Sequence, residues 1–271
     1  MTAFICTTCG TQYAPTPEPP ARCLICEEER QFVAATGQAW TTLERLQVTH
    51  SPIFRYEGEL MALGIAPAFG INQRALLVPT PAGTVMWDCV SLVSPAMVDL
   101  IKGLGGLTAI AISHPHYYTT LVDWSRAFGG IPVYLHKADA EWVMRPDPSI
   151  RFWEGETLEI APGFTLVRSG GHFEGGTVAH WAAGAGGRGA LLSGDLLQVV
   201  ADRKHLGFMR SYPNFIPLGA QAVAQVAARV APFAYDAIYG AFWNGLIPAG
   251  AQEAMARSVA RHIAWLDRPA P

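Results

Sequence analysis

Apolar positions along this chain fall into two regimes. From residue 53 to residue 87 they come as short runs, at 53–56, 60–65, 74–79 and 84–87, separated by Gly, Pro and Asn. Such runs bounded by turn formers predict antiparallel hairpins, the last turning at Pro81-Ala82-Gly83 and ending at Asp88. Beyond Pro95 helical and strand spacings alternate. Helices are predicted over 95–104, from 119 or 120 to 128, and over 138–144, 221–230 and 252–266. Strands are predicted over 107–112, 131–135, 164–168, 177–182, 189–192 and 237–239. Pro95 suits a first helical turn, and Gly103, Gly105 and Gly106 close that helix. A short helix over 41–46 precedes the hairpins. Hairpins followed by alternating strands and helices predict a layered α/β fold, and no repeat of 20–50 residues is apparent.

Composition narrows the class. Half of the 271 residues are apolar, yet no uninterrupted run of about 18 apolar residues occurs, so no membrane span is expected. The net charge is −3 without a Lys/Arg run, which disfavours general binding to nucleic acid or to an acidic membrane. The N-terminus shows no basic stretch leading into an apolar one, so it does not read as a signal peptide. The five cysteines form two CxxC pairs plus Cys89, a pattern of metal binding rather than of a secreted disulfide framework, and a cytoplasmic location is expected.

The pairs are Cys6-Thr7-Thr8-Cys9-Gly10 and Cys23-Leu24-Ile25-Cys26, on either side of a loop with Pro15, Pro17, Pro19 and Pro20. Four thiolates make a closed tetrahedral sphere with no position for substrate, as in structural Zn²⁺ sites. A zinc ribbon or knuckle over 1–36, with a structural or partner-docking role, is therefore expected ahead of a main domain over 37–271. Rubredoxin-like iron would use the same four ligands, and an internal disulfide or free thiols would use the same residues.

The main domain's candidate chemistry sits at predicted strand ends. An apolar run leads into Ser113-His114-Pro115-His116-Tyr117-Tyr118-Thr119, where imidazoles at i and i+2 can face one cleft. His172 lies in Gly170-Gly171-His172-Phe173-Glu174-Gly175-Gly176, and Asp195 follows Ser193-Gly194 at another strand end. His136, His180 and His262 read as ordinary hydrogen-bonded or exposed histidines. The loop after Asp195, which holds Arg203, Lys204 and Arg210, could wall a pocket and meet an anion.

Taken together, residues from about 53 to 266 resemble the metallo-β-lactamase fold superfamily. The family's HxHxDH motif appears as His114-Pro115-His116-Tyr117-Tyr118-Thr119, its GHxxG loop as Gly171-His172-Phe173-Glu174-Gly175, and its GD pair as Gly194-Asp195. Asp88 matches a strand-end aspartate that stands behind the ligands in the family. The resemblance implies an αββα sandwich with metal at one edge, held by His114, His116, His172 and Asp195. It also exposes departures. Tyr118 and Thr119 replace the aspartate and histidine of a second metal, and Tyr239-Gly240-Ala241-Phe242-Trp243 carries no late histidine. One active-site ion, Zn²⁺ or Fe²⁺, is expected. The implied function is a mononuclear hydrolase of an ester, thioester or amide-type small molecule, with Asp195 orienting the nucleophile and Tyr118 donating to an oxyanion. A mononuclear iron oxidoreductase and a non-catalytic protein that docks a partner through its ribbon are the alternatives, and a homo-oligomer is compatible with either.

Overall fold

The computed structural model describes residues 1–266 and 268; residues 267 and 269–271, the expected end of the main domain, lie outside the described residues. Two mixed sheets dominate. The first has seven strands in sequence order: Ser51–Glu57, Leu60–Ala66, Ala75–Thr80, Gly83–Trp87, Ala109–Ala111, Val133–His136 and Ile150–Trp153. Its first four strands pair antiparallel as hairpins, and the last four pair parallel. The second runs Thr157–Ala161, Phe164–Arg168, Thr177–Trp181, Ala190–Gly194, Ala237–Gly240, Leu246–Ile247, antiparallel except for the parallel pair of Ala190–Gly194 with Ala237–Gly240.

Side-chain alternation makes the layers. In the first sheet Leu60, Ala62, Leu76, Val78, Val85 and Trp87 point at the second sheet, where they meet Phe164, Leu166, Ala179, Ala190 and Leu192. The residues between them, Leu63, Ala75, Leu77 and Met86, face the opposite way. There they meet Met97 and Ile101 of the helix Pro95–Gly103, and Leu121, Val122 and Trp124 of the helix Leu121–Ala127. The outer face of the second sheet is covered in the same manner by Ala220–Val230 and Ala251–Leu266, through Val223, Val226, Val230, Ala254 and Met255. Strands buried on both faces carry apolar residues at every position, which is why their runs look continuous in the sequence. The result is the expected αββα sandwich.

Most expected elements are present within a residue or two. The expected helix over 138–144 is a 3₁₀ segment, Lys137–Trp142. Three strands of the two main sheets, Ile150–Trp153, Thr157–Ala161 and Leu246–Ile247, were not anticipated; all lie at sheet edges, the first two with mixed polar and apolar residues and the last only two residues long. Among the described residues no helix is long and apolar enough to cross a membrane.

The N-terminal segment is knitted into this body. Ile5–Cys6 pairs antiparallel with Trp40–Thr41, and fully buried Ile5 belongs to the core beneath the first sheet. Gln12 donates its backbone N–H to Thr119 O at 3.2 Å and its side-chain amide to Asp123 at 2.8 Å.

At the metal-site end the two sheets are tied by one cation. Arg74 is 1% exposed; it donates to the carbonyls of Gly240 and Gly245 and lies 3.7 Å from Glu57 Oε2. Burial pulls its pKa down to about 10. Arg74→Ala removes the side-chain donor to Gly240 O and one of the partners of Glu57, which keeps Arg55 and the Asn244 N–H, so a loss of about 1–3 kcal/mol in urea denaturation is expected. A loss below about 1 kcal/mol would show that the loop after Gly240 is held by other contacts.

Candidate metal centre

Four predicted ligands meet at one end of the sandwich. The strand Ala109–Ala111 delivers His114 and then His116 on a short 3₁₀ turn, Pro115–Tyr117. The loop between Phe164–Arg168 and Thr177–Trp181 delivers His172, and Ala190–Gly194 delivers Asp195. These strand ends lie side by side because they point the same way within their sheets. The approach depends on Gly194: its φ is +55°, and a Cβ there would sit 2.6 Å from Ser113 Oγ, beside His114.

All four side chains are buried. One ring nitrogen from each histidine lies within 4.8 Å of those of the other two. His172 Nε2 is 3.2 Å from His116 Nδ1, and His114 Nε2 is 3.2 Å from Asp195 Oδ1. Donors held about 2.0–2.1 Å from a tetrahedral ion stand about 3.3–3.4 Å apart, so the spacing is that of ligands sharing an ion. The partners on the far side of the rings agree. His172 Nδ1 faces Met209 O at 3.1 Å; a carbonyl only accepts, so Nδ1 holds the proton and Nε2 the lone pair. His114 Nδ1 pairs with Ser113 Oγ at 2.9 Å. His114 Nε2 and Asp195 Oδ1 are buried with no hydrogen-bond partner, a state that a metal ion relieves. Burial lowers the pKa of all three imidazoles, which keeps them neutral and able to ligate. The same burial raises that of Asp195.

Asp88 stands behind this set. Its Oδ1 accepts from Ser113 N–H at 2.8 Å, so it fixes the residue that in turn supports His114. Burial pushes its pKa up to about 7.

The second cluster is equally plain. Cys6, Cys9, Cys23 and Cys26 are buried free cysteines, with Cys6 and Cys26 Sγ 3.6 Å apart and Cys9 and Cys23 Sγ 3.6 Å apart. Sulfurs about 2.3 Å from a tetrahedral ion would be about 3.8 Å apart. Tyr13 Oη and Gln38 Nε2 donate to Cys23 and Cys6 Sγ, as suits thiolates.

Two expectations need correction. Tyr118 does not reach the metal site: it is packed in the core beneath the first sheet, 3% exposed, so it is not placed to donate to an oxyanion. Its neighbour Tyr117 is instead the phenol beside Asp195 and His114; its ring lies 4.4 Å from that of His114, and its hydroxyl is buried next to Asp195. The basic residues of the loop after Asp195 do not face the site either. Arg203 and Lys204 are exposed on a turn, and Arg210 is paired with Glu29 at 2.7 Å. That loop does wall the site, through Tyr212 and Pro213.

The residues that sequence reasoning passed over come from the N-terminal segment. A cavity of about 230 Å³ opens over His116, His172 and Asp195. Thr8, Arg30, Gln31 and Phe32 line it together with Ile71, Tyr212, Pro213 and Phe242. Arg30 is 8% exposed. Its Nη1 donates to His172 O at 3.1 Å, its Nε to Glu28 at 2.7 Å, and its guanidinium lies 3.8 Å from the Phe173 ring centroid. The sequence signal was position: 30–32 lie four to six residues beyond Cys26, the last cysteine of the second CxxC pair.

No protein-family model matches the chain. Over 270 residues it is 45% identical to a protein of Bacillus subtilis (strain 168) described as uncharacterized protein YmaE, with 98% of each chain covered. Among solved structures it is similar to the DIM-1 metallo-β-lactamase, with a TM-score of 0.57 and 10% identity over 78% of this chain and 97% of that one. It is likewise similar to the mono-zinc form of the metallo-β-lactamase FIM-1 from Pseudomonas aeruginosa, with a TM-score of 0.57 and 15% identity over 80% and 97% of the two chains. At such identities the likeness is one of fold.

Two outcomes test this geometry. Arg30→Ala releases the His172 loop, and a 10–100-fold weaker affinity of the histidine site for Co²⁺ is expected, read by its visible absorption, while the cysteine site keeps its metal; unchanged affinity would show that Arg30 does not position His172. Asp139 accepts Gly175 N–H at 2.7 Å, and burial pushes its pKa up to about 7. Its unfolded value is about 3.9, so folding takes up a proton between these limits, and stability falls as pH rises from about 4 to about 7. Asp139→Asn removes this dependence; its stability relative to the parent should grow from pH 5 to pH 8, and parallel denaturation profiles would refute the assignment.

Proposed function

The chain belongs to the family of the Bacillus subtilis protein YmaE and has the metallo-β-lactamase fold, and from that premise we propose that it is a metal-dependent hydrolase with a single active-site ion, acting on an ester, thioester or amide-type small molecule. One observation carries the reading. Three neutral imidazoles converge on a single point, with Asp195 Oδ1 against His114 and with His116, His172 and Asp195 lining a cavity, while the positions that would hold a second ion are filled otherwise. Tyr118 is in the core, and Thr119 is 3% exposed beneath the N-terminal segment, its carbonyl taken by Gln12 N–H. Ala241 and Phe242 stand where a late histidine would be.

Zn²⁺ or Fe²⁺ suits this donor set, and either supplies Lewis acidity that polarises a carbonyl and yields a nucleophilic water near neutral pH. The chain's own residues do the rest. His114, His116 and His172 would hold the ion, with His114 oriented by Ser113 and His172 by Met209 O. Asp195, with Oδ1 against His114, would orient the attacking water. The Tyr117 hydroxyl, buried beside Asp195, is the available donor on that side. The cysteine cluster, closed and saturated, is read as structural Zn²⁺, with no role in the reaction.

Metal analysis of protein purified without added metal should find about two ions per chain, and His116→Ala combined with His172→Ala should remove one of them. On a panel of aryl esters, thioesters and lactones, chelation or His116→Ala should lower kcat/KM at least about a hundredfold, and Tyr118→Phe should leave it within about twofold. Bound iron with oxygen uptake and no hydrolysis would overturn the proposal in favour of an oxidoreductase; an unaltered metal content in the double variant would overturn the metal site itself.

A further inference from the structure

The cavity's far wall is built by a part of the chain that the metal site does not require. Phe32 and Gln31 follow the second cysteine pair, and Thr8 lies inside the first, so the cysteine cluster fixes the backbone that presents them. Ile71, Phe242 and Pro213 complete the lining. The surface between them is mainly apolar. Its cation is already neutralised: Arg30 pairs with Glu28. The nearby Arg210 is held by Glu28 and Glu29. The Tyr212 hydroxyl is spent on Asp195 O at 2.6 Å. Among the described residues, the side chains of Thr8 and Gln31 alone remain as uncommitted neutral polar groups above the metal-facing atoms. An anionic ligand would find no free positive partner in this wall, and burying its charge would be unfavourable.

Size adds a second limit. A dry apolar cavity of about 150 Å³ accommodates benzene; about 230 Å³ accommodates a phenyl or short branched alkyl group with the carbonyl that joins it to the metal-facing end. We infer that this cavity is an acyl-recognition pocket for an uncharged, compact apolar or aryl acyl group, and that the cysteine knuckle, through Phe32, supplies its specificity. The inference rests on the hydrolase reading for the word acyl; the shape and neutrality of the pocket do not depend on it.

Hydroxamic acids probe the pocket without turnover, because their polar end chelates the ion and their substituent enters the cavity. Calorimetry on the metal-loaded full chain would compare phenylacetohydroxamic acid, acetohydroxamic acid and succinic monohydroxamic acid. The phenyl compound is expected to bind at least about tenfold tighter than the acetyl compound, from the apolar surface it buries, and tighter than the charged succinyl compound. Phe32→Ala, a change at a half-exposed residue, should reduce the phenyl preference at least threefold and leave acetohydroxamic acid unaffected. Phe152→Ala, at an exposed aromatic on the first sheet's edge, should change nothing. Equal affinities for phenyl and acetyl compounds, tighter binding of the succinyl compound, or a preference untouched by Phe32→Ala would each overturn the inference. Equal weakening of all three by Phe32→Ala would also overturn it, as damage to the metal site rather than loss of recognition. Failure of the hydrolase reading looks different: the phenyl preference and its dependence on Phe32 persist, but no ester, thioester or lactone is cleaved.

Discussion

The structure depends on bringing three imidazoles to a single buried point, with the Asp195 carboxylate against one of them. Each is cut off from water, and a buried polar atom without a partner is unfavourable by about 1–3 kcal/mol. The fold tolerates this because the strand ends that carry the groups are rigid and the groups have one shared partner in prospect. The support is layered outward: Ser113 on His114, Asp88 on Ser113, Met209 on His172, Arg30 on the His172 carbonyl. Each contact removes a rotational freedom from a ligand or its backbone, and together they hold the nitrogens at ligand spacing.

The N-terminal cysteine knuckle is part of that support. A zinc ribbon set ahead of an enzyme domain invites the picture of a separate docking module. Here its β-strand extends to Trp40–Thr41, Ile5 enters the main core, and Arg30, Gln31 and Phe32 face the metal site. A four-residue CxxC turn is too small to have a core of its own, and four thiolates gathered around one ion would give it the stiffness that a hydrophobic core otherwise provides. That stiffness is transferred to the cavity wall.

The same packing accounts for the altered motif. A second ion next to the first would need an aspartate and a histidine directed into the cleft. Tyr118 instead turns under the first sheet, and Thr119, with φ +36°, is covered by the knuckle. Both residues are thus held by packing, one under the first sheet and the other against the N-terminal segment.

Local patterns sufficed for a good deal. The period-two and helical spacings marked the hairpins, the buried strands and all four long helices, because those elements bury one stripe or both faces of themselves. The two CxxC pairs, and His114, His116, His172 and Asp195, were legible because metal ligation demands particular side chains at strand ends and turns. Edge strands such as Ile150–Trp153 escaped notice, since half-exposed positions carry no strict alternation. Tertiary structure alone decided which tyrosine faces Asp195, since two adjacent aromatic residues leave a 3₁₀ turn in different directions and nothing in their order says which is inward. It alone decided that Arg30 and Phe32 meet His172, some 140 positions away in the chain. Ligand identity is a property of local chemistry and is written into short motifs; the walls of a cavity are contacts between distant segments, and those exist only once the core has brought the segments together.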